Sequence, residues 1–169
     1  LGHSVGYHRM MIHGSFKAPR WLRRTLVWFG ALVGMAGPYA IIRAHDTRDW
    51  AQRQADCHPF LAHKTHILRD AWWQIYCRLD LDRPPRFDFT ELDRDPFYRW
   101  LEATWRWQQL PVALLFFAIG GWGWVIWGVA ARVAVANHGH WLVGHLAHNR
   151  GPQHWTVDAH GVQAFDVPW

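Results

Sequence analysis

Leu110–Ala131 reads LPVALLFFAIGGWGWVIWGVAA, 22 residues without a charged side chain. A run of that length can cross the roughly 30 Å hydrocarbon core of a bilayer as one helix. Gly120, Gly121 and Gly123 in its middle permit another arrangement, a hairpin with one helix from about Phe97 to Ile119 and a second from about Trp122 to His148. Each arm then has about 15 strongly apolar residues next to the turn, roughly 22 Å of helix, which is short for a full span. The residue pattern leaves both arrangements open.

Upstream, Thr25–Ile42 (TLVWFGALVGMAGPYAII) is also uncharged over 18 residues, the lower limit for a span. Its Gly30, Gly34, Gly37 and Pro38 predict a break or kink, hence an interfacial or re-entrant piece. From Arg43 to Arg99 the chain turns polar and charged. Trp72, Trp73 and Tyr76 there fit an amphipathic helix, followed by a loop around Leu81–Arg86. The organisation expected is a single domain over residues 1–169, with a polar cap at about 43–96 and, in the hairpin arrangement, a membrane hairpin at about 97–148.

Of 169 residues, 50% are hydrophobic and 18% charged, which excludes a disordered chain. Fourteen Trp beside 18 basic residues, of which only Lys17 and Lys64 are lysine, suit a water–lipid boundary. The net charge of +5 lies beside apolar segments, so a membrane surface is expected as partner rather than nucleic acid. Cys57 and Cys77 are 20 residues apart, form no CxxC and outline no disulfide framework.

Thirteen histidines in a membrane-leaning chain point to metal. His8 and His13 are five residues apart; on an ideal α-helix their rings point about 140° apart, poorly placed to grip one ion and better placed to reach two neighbouring ions or one ion across a distorted turn. His45 and Asp49, at i and i+4, share a helical face, where they can bind one cation or simply pair with each other. His63 and His66 are three apart in a polar stretch. His138, His145 and His148 fall within about 80° of one another on the second hairpin helix, with His140 pointing elsewhere. His154 and His160 fit a solvated loop. The chain has no HExxH, GxGxxG, P-loop or GxSxG, so zinc proteolysis, nucleotide binding and α/β-hydrolase chemistry have no support.

The segment Gly6-Tyr7-His8-Arg9-Met10-Met11-Ile12-His13-Gly14-Ser15-Phe16-Lys17 resembles the first histidine box of the membrane fatty-acid desaturases of the acyl-CoA Δ9 type, G-x-H-R-x-x-x-H-x-S-F/Y. Gly34-Met35-Ala36-Gly37-Pro38 followed by His45 resembles the approach to the second box. His140–His148 (HWLVGHLAH) resembles the WLVNSxAH stretch of the last membrane helix.

The resemblance implies an all-α, polytopic integral membrane enzyme with a cytosolic helical cap and a histidine-bound di-iron centre. Such an enzyme uses O₂ and two electrons from a small donor protein, of the cytochrome b5, ferredoxin or rubredoxin kind, to desaturate a fatty acyl-CoA or acyl-lipid. His8, His13, His45 and His148 match its metal ligands. The second box, HxxHH in the family, reads His45-Asp46-Thr47-Arg48-Asp49 here. Asp49 can serve iron and Arg48 cannot ligate. Gly144 stands where an asparagine is expected, leaving that task to His145 or to water. The resemblance also implies early membrane helices before Leu1 and a last histidine box after Trp169.

If the ligands meet at one centre they share a membrane side. Thr25–Ile42 then does not cross, and Leu110–Ala131 crosses an even number of times, which selects the hairpin. Arg9, Lys17, Arg20, Arg23, Arg24 and Arg43 cluster on the histidine side, placing the site in the cytoplasm, at a bacterial inner membrane. The alternatives are a related fatty-acid hydroxylase, a haem-binding electron-transfer protein, and a non-catalytic relative that has lost its iron.

Overall fold

The computed structural model describes residues 1–52, 65–77 and 85–149, the side chains of residues 52 and 147–149 excepted. All regular structure among them is helical, the all-α class that the resemblance implied: α1 (Gly2–Ile12), α2 (Arg20–Leu32), α3 (Pro38–Gln52), α4 (Ile67–Tyr76), α5 (Thr90–Asp93), α6 (Pro96–Thr104), α7 (Gln109–Val125), α8 (Ile126–Ala131) and α9 (Arg132–Asn149). The chain divides into two compact units, residues 1–44 with 87–137 and residues 45–86 with 138–169.

In the first unit, Tyr7 and Met10 of α1, Val27 and Ala31 of α2, Ile41 and Ile42 of α3, and Tyr98 and Leu101 of α6 form one buried cluster. The Tyr7 hydroxyl donates to Ala36 O at 3.3 Å, satisfying a group that the core would otherwise strand. Helix α1 lies unusually close to α2 because it carries glycine where they touch. A Cβ on Gly6 would stand 2.4 Å from the Leu26 carbonyl oxygen.

Thr25–Ile42 is not one helix. Helix α2 stops at Leu32, and Pro38 is the first residue of α3, where its missing N–H and fixed φ cost nothing. Glu102 of α6 caps this start: its Oε2 accepts the Tyr39 N–H at 2.8 Å and the Ala40 N–H at 3.4 Å.

Asp95 caps α6 through the Phe97 N–H and takes Arg24 at 2.7 Å and Arg20 at 3.1 Å. Arg24 first, then Arg20 and the Phe97 N–H, hold its carboxyl well below the usual carboxylate range. That stabilisation is complete above the ordinary carboxylate pKa of about 3.9 and is lost as pH falls toward Asp95's own lower value. Asp95→Asn is expected to cost about 1–2 kcal/mol at pH 7 after allowing for solvent screening. Thermal melts at pH 7 and pH 3 check this: the gap between wild type and variant narrows at the lower pH.

The apolar run reverses. Gly120 (φ −148°, ψ 19°) and Gly121 (φ 64°, ψ −157°) leave the helical region, and the Gly121 pair is open essentially to glycine alone. On a straight helix Gln109 and Arg132 would be about 35 Å apart. Instead Arg132 Nη2 donates to Gln109 Oε1 at 2.7 Å, and both side chains hydrogen-bond the Leu32 carbonyl at the end of α2. The rings of Phe117 and Trp122 meet across the turn at 5.1 Å. The first arm starts at Gln109 rather than near Phe97. Pro111 lacks an N–H and crowds the carbonyl four residues back, so the helix begun at Pro96 gives way to the turn at Trp105–Gln108. Leu114, Trp122 and Trp127 are exposed along the hairpin, whose outer face is apolar.

In the second unit, His66 caps α4, its Nδ1 accepting the Leu68 N–H at 3.3 Å. The rings of Trp72 and Tyr76 lie 5.2 Å apart, tilted, on the exposed side of α4, and Asp70 is buried. Cys57, His63, His154, His160 and most of the loop expected at 81–86 lie outside the described residues.

Candidate metal centre

His8 and His13 come together. Their Nε2 atoms are 3.3 Å apart and the ring centroids 4.5 Å. Of the arrangements the spacing leaves open, the distorted turn is the one that forms, because α1 is wound more widely than an α-helix. The His13 N–H bonds to the His8 carbonyl, five residues back, at 3.0 Å, and the Gly6 N–H reaches Leu1 in the same way. With i→i+5 bonds, residues five apart sit one turn above each other and share a face. Two nitrogens each about 2.1 Å from one cation are separated by about 3.0 Å at a right angle and about 3.4 Å at a tetrahedral one. The pair therefore fits adjacent ligation of a single metal ion. His8 is half-buried and His13 exposed.

His45 is the first residue of the second unit, directly after Ala44 on α3. Its Nδ1 lies 3.2 Å from Asp46 Oδ1 and 3.7 Å from Asp49 Oδ2. The i, i+4 pairing with Asp49 thus forms, though Asp46 holds the ring more closely.

His145 is buried in the second unit, with Nδ1 2.7 Å from Asp70 Oδ2. The same oxygen accepts the Trp141 Nε1–H at 2.9 Å. His138 and His140 are exposed on α9. His148 lies within α9, but its side chain is outside those described. Sequence reasoning missed Asp70 and Glu102. Asp70 is one of several acids on a polar segment, and its burial depends on residues 71 and 75 positions away. The signal that could have found it is a lone acid on the inner face of an amphipathic helix.

Among curated proteins, the sn-2 palmitoyl-lipid 9-desaturase of Nostoc sp. (strain 36) is 32% identical over 165 residues, covering 94% of this chain and 56% of the relative. The sn-1 stearoyl-lipid 9-desaturase of Anabaena variabilis is 32% identical over 159 residues, 94% of this chain and 57% of its own length. Along nearly its whole length the chain is similar to fatty-acid desaturases. The icosanoyl-CoA 5-desaturase of Limnanthes douglasii is a more distant relative, 23% identical over 93% of this chain and 44% of its own. No protein-family model matches the chain, and no solved structure does. It spans about half the length of the curated relatives it matches. Gln109–Leu146 is the stretch among the described residues long and apolar enough to cross a membrane, and the chain is membrane-associated.

Proposed function

We propose that the protein containing this chain is an O₂-dependent fatty acyl desaturase of lipid biosynthesis, acting on an acyl-lipid or acyl-CoA at a di-iron centre. The observation that carries this reading is the His8–His13 pair, with Nε2 atoms 3.3 Å apart inside the segment that resembles the first histidine box. The names of the relatives support an acyl substrate, and the apolar hairpin supports one delivered from the bilayer. His8, His13, His45, Asp49, His145 and His148 are the ligands proposed. When bound, iron supplies the oxidising power to take two hydrogens from the acyl chain as O₂ is reduced to water with two donor electrons.

The chain's own residues prepare that site. The wide turn of α1 turns the His8 and His13 donor atoms toward one point. Asp46 lies on the Nδ1 side of His45, so Nε2 is the nitrogen that would be left to hold a metal. Glu102 fixes the start of the helix carrying His45. The hairpin holds the unit in the membrane, and the basic cluster from Arg9 to Arg43 supports a cytoplasmic site at a bacterial inner membrane. Electrons come from a small donor protein of the cytochrome b5, ferredoxin or rubredoxin kind.

The test is to express the full-length protein in a host lacking the activity and profile its fatty acids with and without O₂. New monounsaturated chains that require O₂ are expected. Hydroxylated chains without a new double bond would indicate the hydroxylase instead, and an unchanged profile a non-catalytic relative.

A further inference from the structure

We propose that Asp70 is a positioning residue that makes His145 an iron ligand, replacing an imidazole missing from the second box, with Arg48 as the counter-charge. This rests on the di-iron reading above. Asp70, Trp141, Gly144, His145 and Arg48 all belong to the second unit.

The side chains of His145 and Asp70 are 5% and 8% exposed. A carboxylate so buried needs its lone pairs used, and Oδ2 accepts both His145 Nδ1–H and Trp141 Nε1–H. The two donors stand at i and i+4, on one face of α9. An ionised carboxylate only accepts, so in the neutral ring the hydrogen of His145 is on Nδ1 and the lone pair on Nε2. A histidine ligand held from behind by a carboxylate in this way has a fixed ring and a more basic donor atom.

Arg48 reaches the same turn of α9. Its Nη1 lies 3.3 Å from where a Cβ on Gly144 would stand, so the glycine beside His145 makes room for the guanidinium. Its charge interacts with that of Asp70. The two departures, Arg48 in the second box and Gly144 in the last helix, are then one coupled change, and His145 is its functional product.

The test uses the purified full-length protein, stripped of metal and titrated anaerobically with Fe²⁺, with iron per chain and the Mössbauer spectrum as readouts. Asp70→Ala is expected to weaken iron binding roughly 10–100-fold at one of the two irons. His145→Ala does at least as much, and the double variant is no worse than His145→Ala alone, as expected of residues acting through one ligand. Asp70→Asn, which keeps the volume and one acceptor, is expected to show a smaller loss and an altered spectrum, and it carries the test if the alanine variant does not fold. Variants that melt earlier but bind iron as tightly, with an unchanged spectrum, overturn the assignment and leave a structural ion pair. A folded wild type that takes up no iron overturns the di-iron reading as well.

Discussion

His8→Ala in the full-length protein is expected to remove new monounsaturated acyl chains from the host's fatty-acid profile, a fall of at least about 100-fold. Losing a group that merely orients a ligand already costs 10–100-fold in metal affinity or activity, and losing the ligand costs more. His13→Ala should match it, because the two Nε2 atoms converge on one point. His140→Ala is the control. That residue is exposed on α9, and its replacement is expected to change product by less than about twofold. Gas chromatography of total fatty acids reads all three.

Gly6→Ala is expected to destabilise the protein by about 3 kcal/mol and to lower its iron content, although position 6 offers no ligand. The new Cβ would meet the Leu26 carbonyl oxygen at 2.4 Å and its carbon at 2.8 Å. Overpacking against flexible side chains costs about 1–3 kcal/mol, and a backbone neighbour gives least, so the upper end applies. Relief comes only from moving α1 off α2, and α1 carries His8 and His13. Thermal melting and iron analysis of the same sample check both effects. Loss of stability with full iron content would show that the histidine pair does not depend on how α1 is seated.

How far the sequence could be read depended on whether the cause was local. The break before Pro38 was legible, because proline acts on its own residue's dihedrals, whereas the glycines at 120 and 121 only permitted a reversal and the resemblance selected it. The start of the first hairpin arm was read about a dozen residues too early, since the weight of Pro111 was overlooked beside the apolar residues. His8 and His13 were recognisable by motif, yet their convergence was legible only as one of two alternatives. Ideal α geometry turns them apart, and the wide winding of α1 depends on its packing against α2. Asp70 was invisible for the same reason, being tied to Trp141 and His145 from another part of the chain. Arg48 and Gly144 read as two separate losses, and their adjacency is visible only once the chain is folded.

The most direct test of the central claim, that these histidines hold iron for acyl desaturation, is the iron content of the full-length protein beside that of His8→Ala, both shown to be folded. Two irons per chain in the wild type and a clear loss in the variant are expected. A folded wild type without iron, or a variant that keeps both irons, would contradict it.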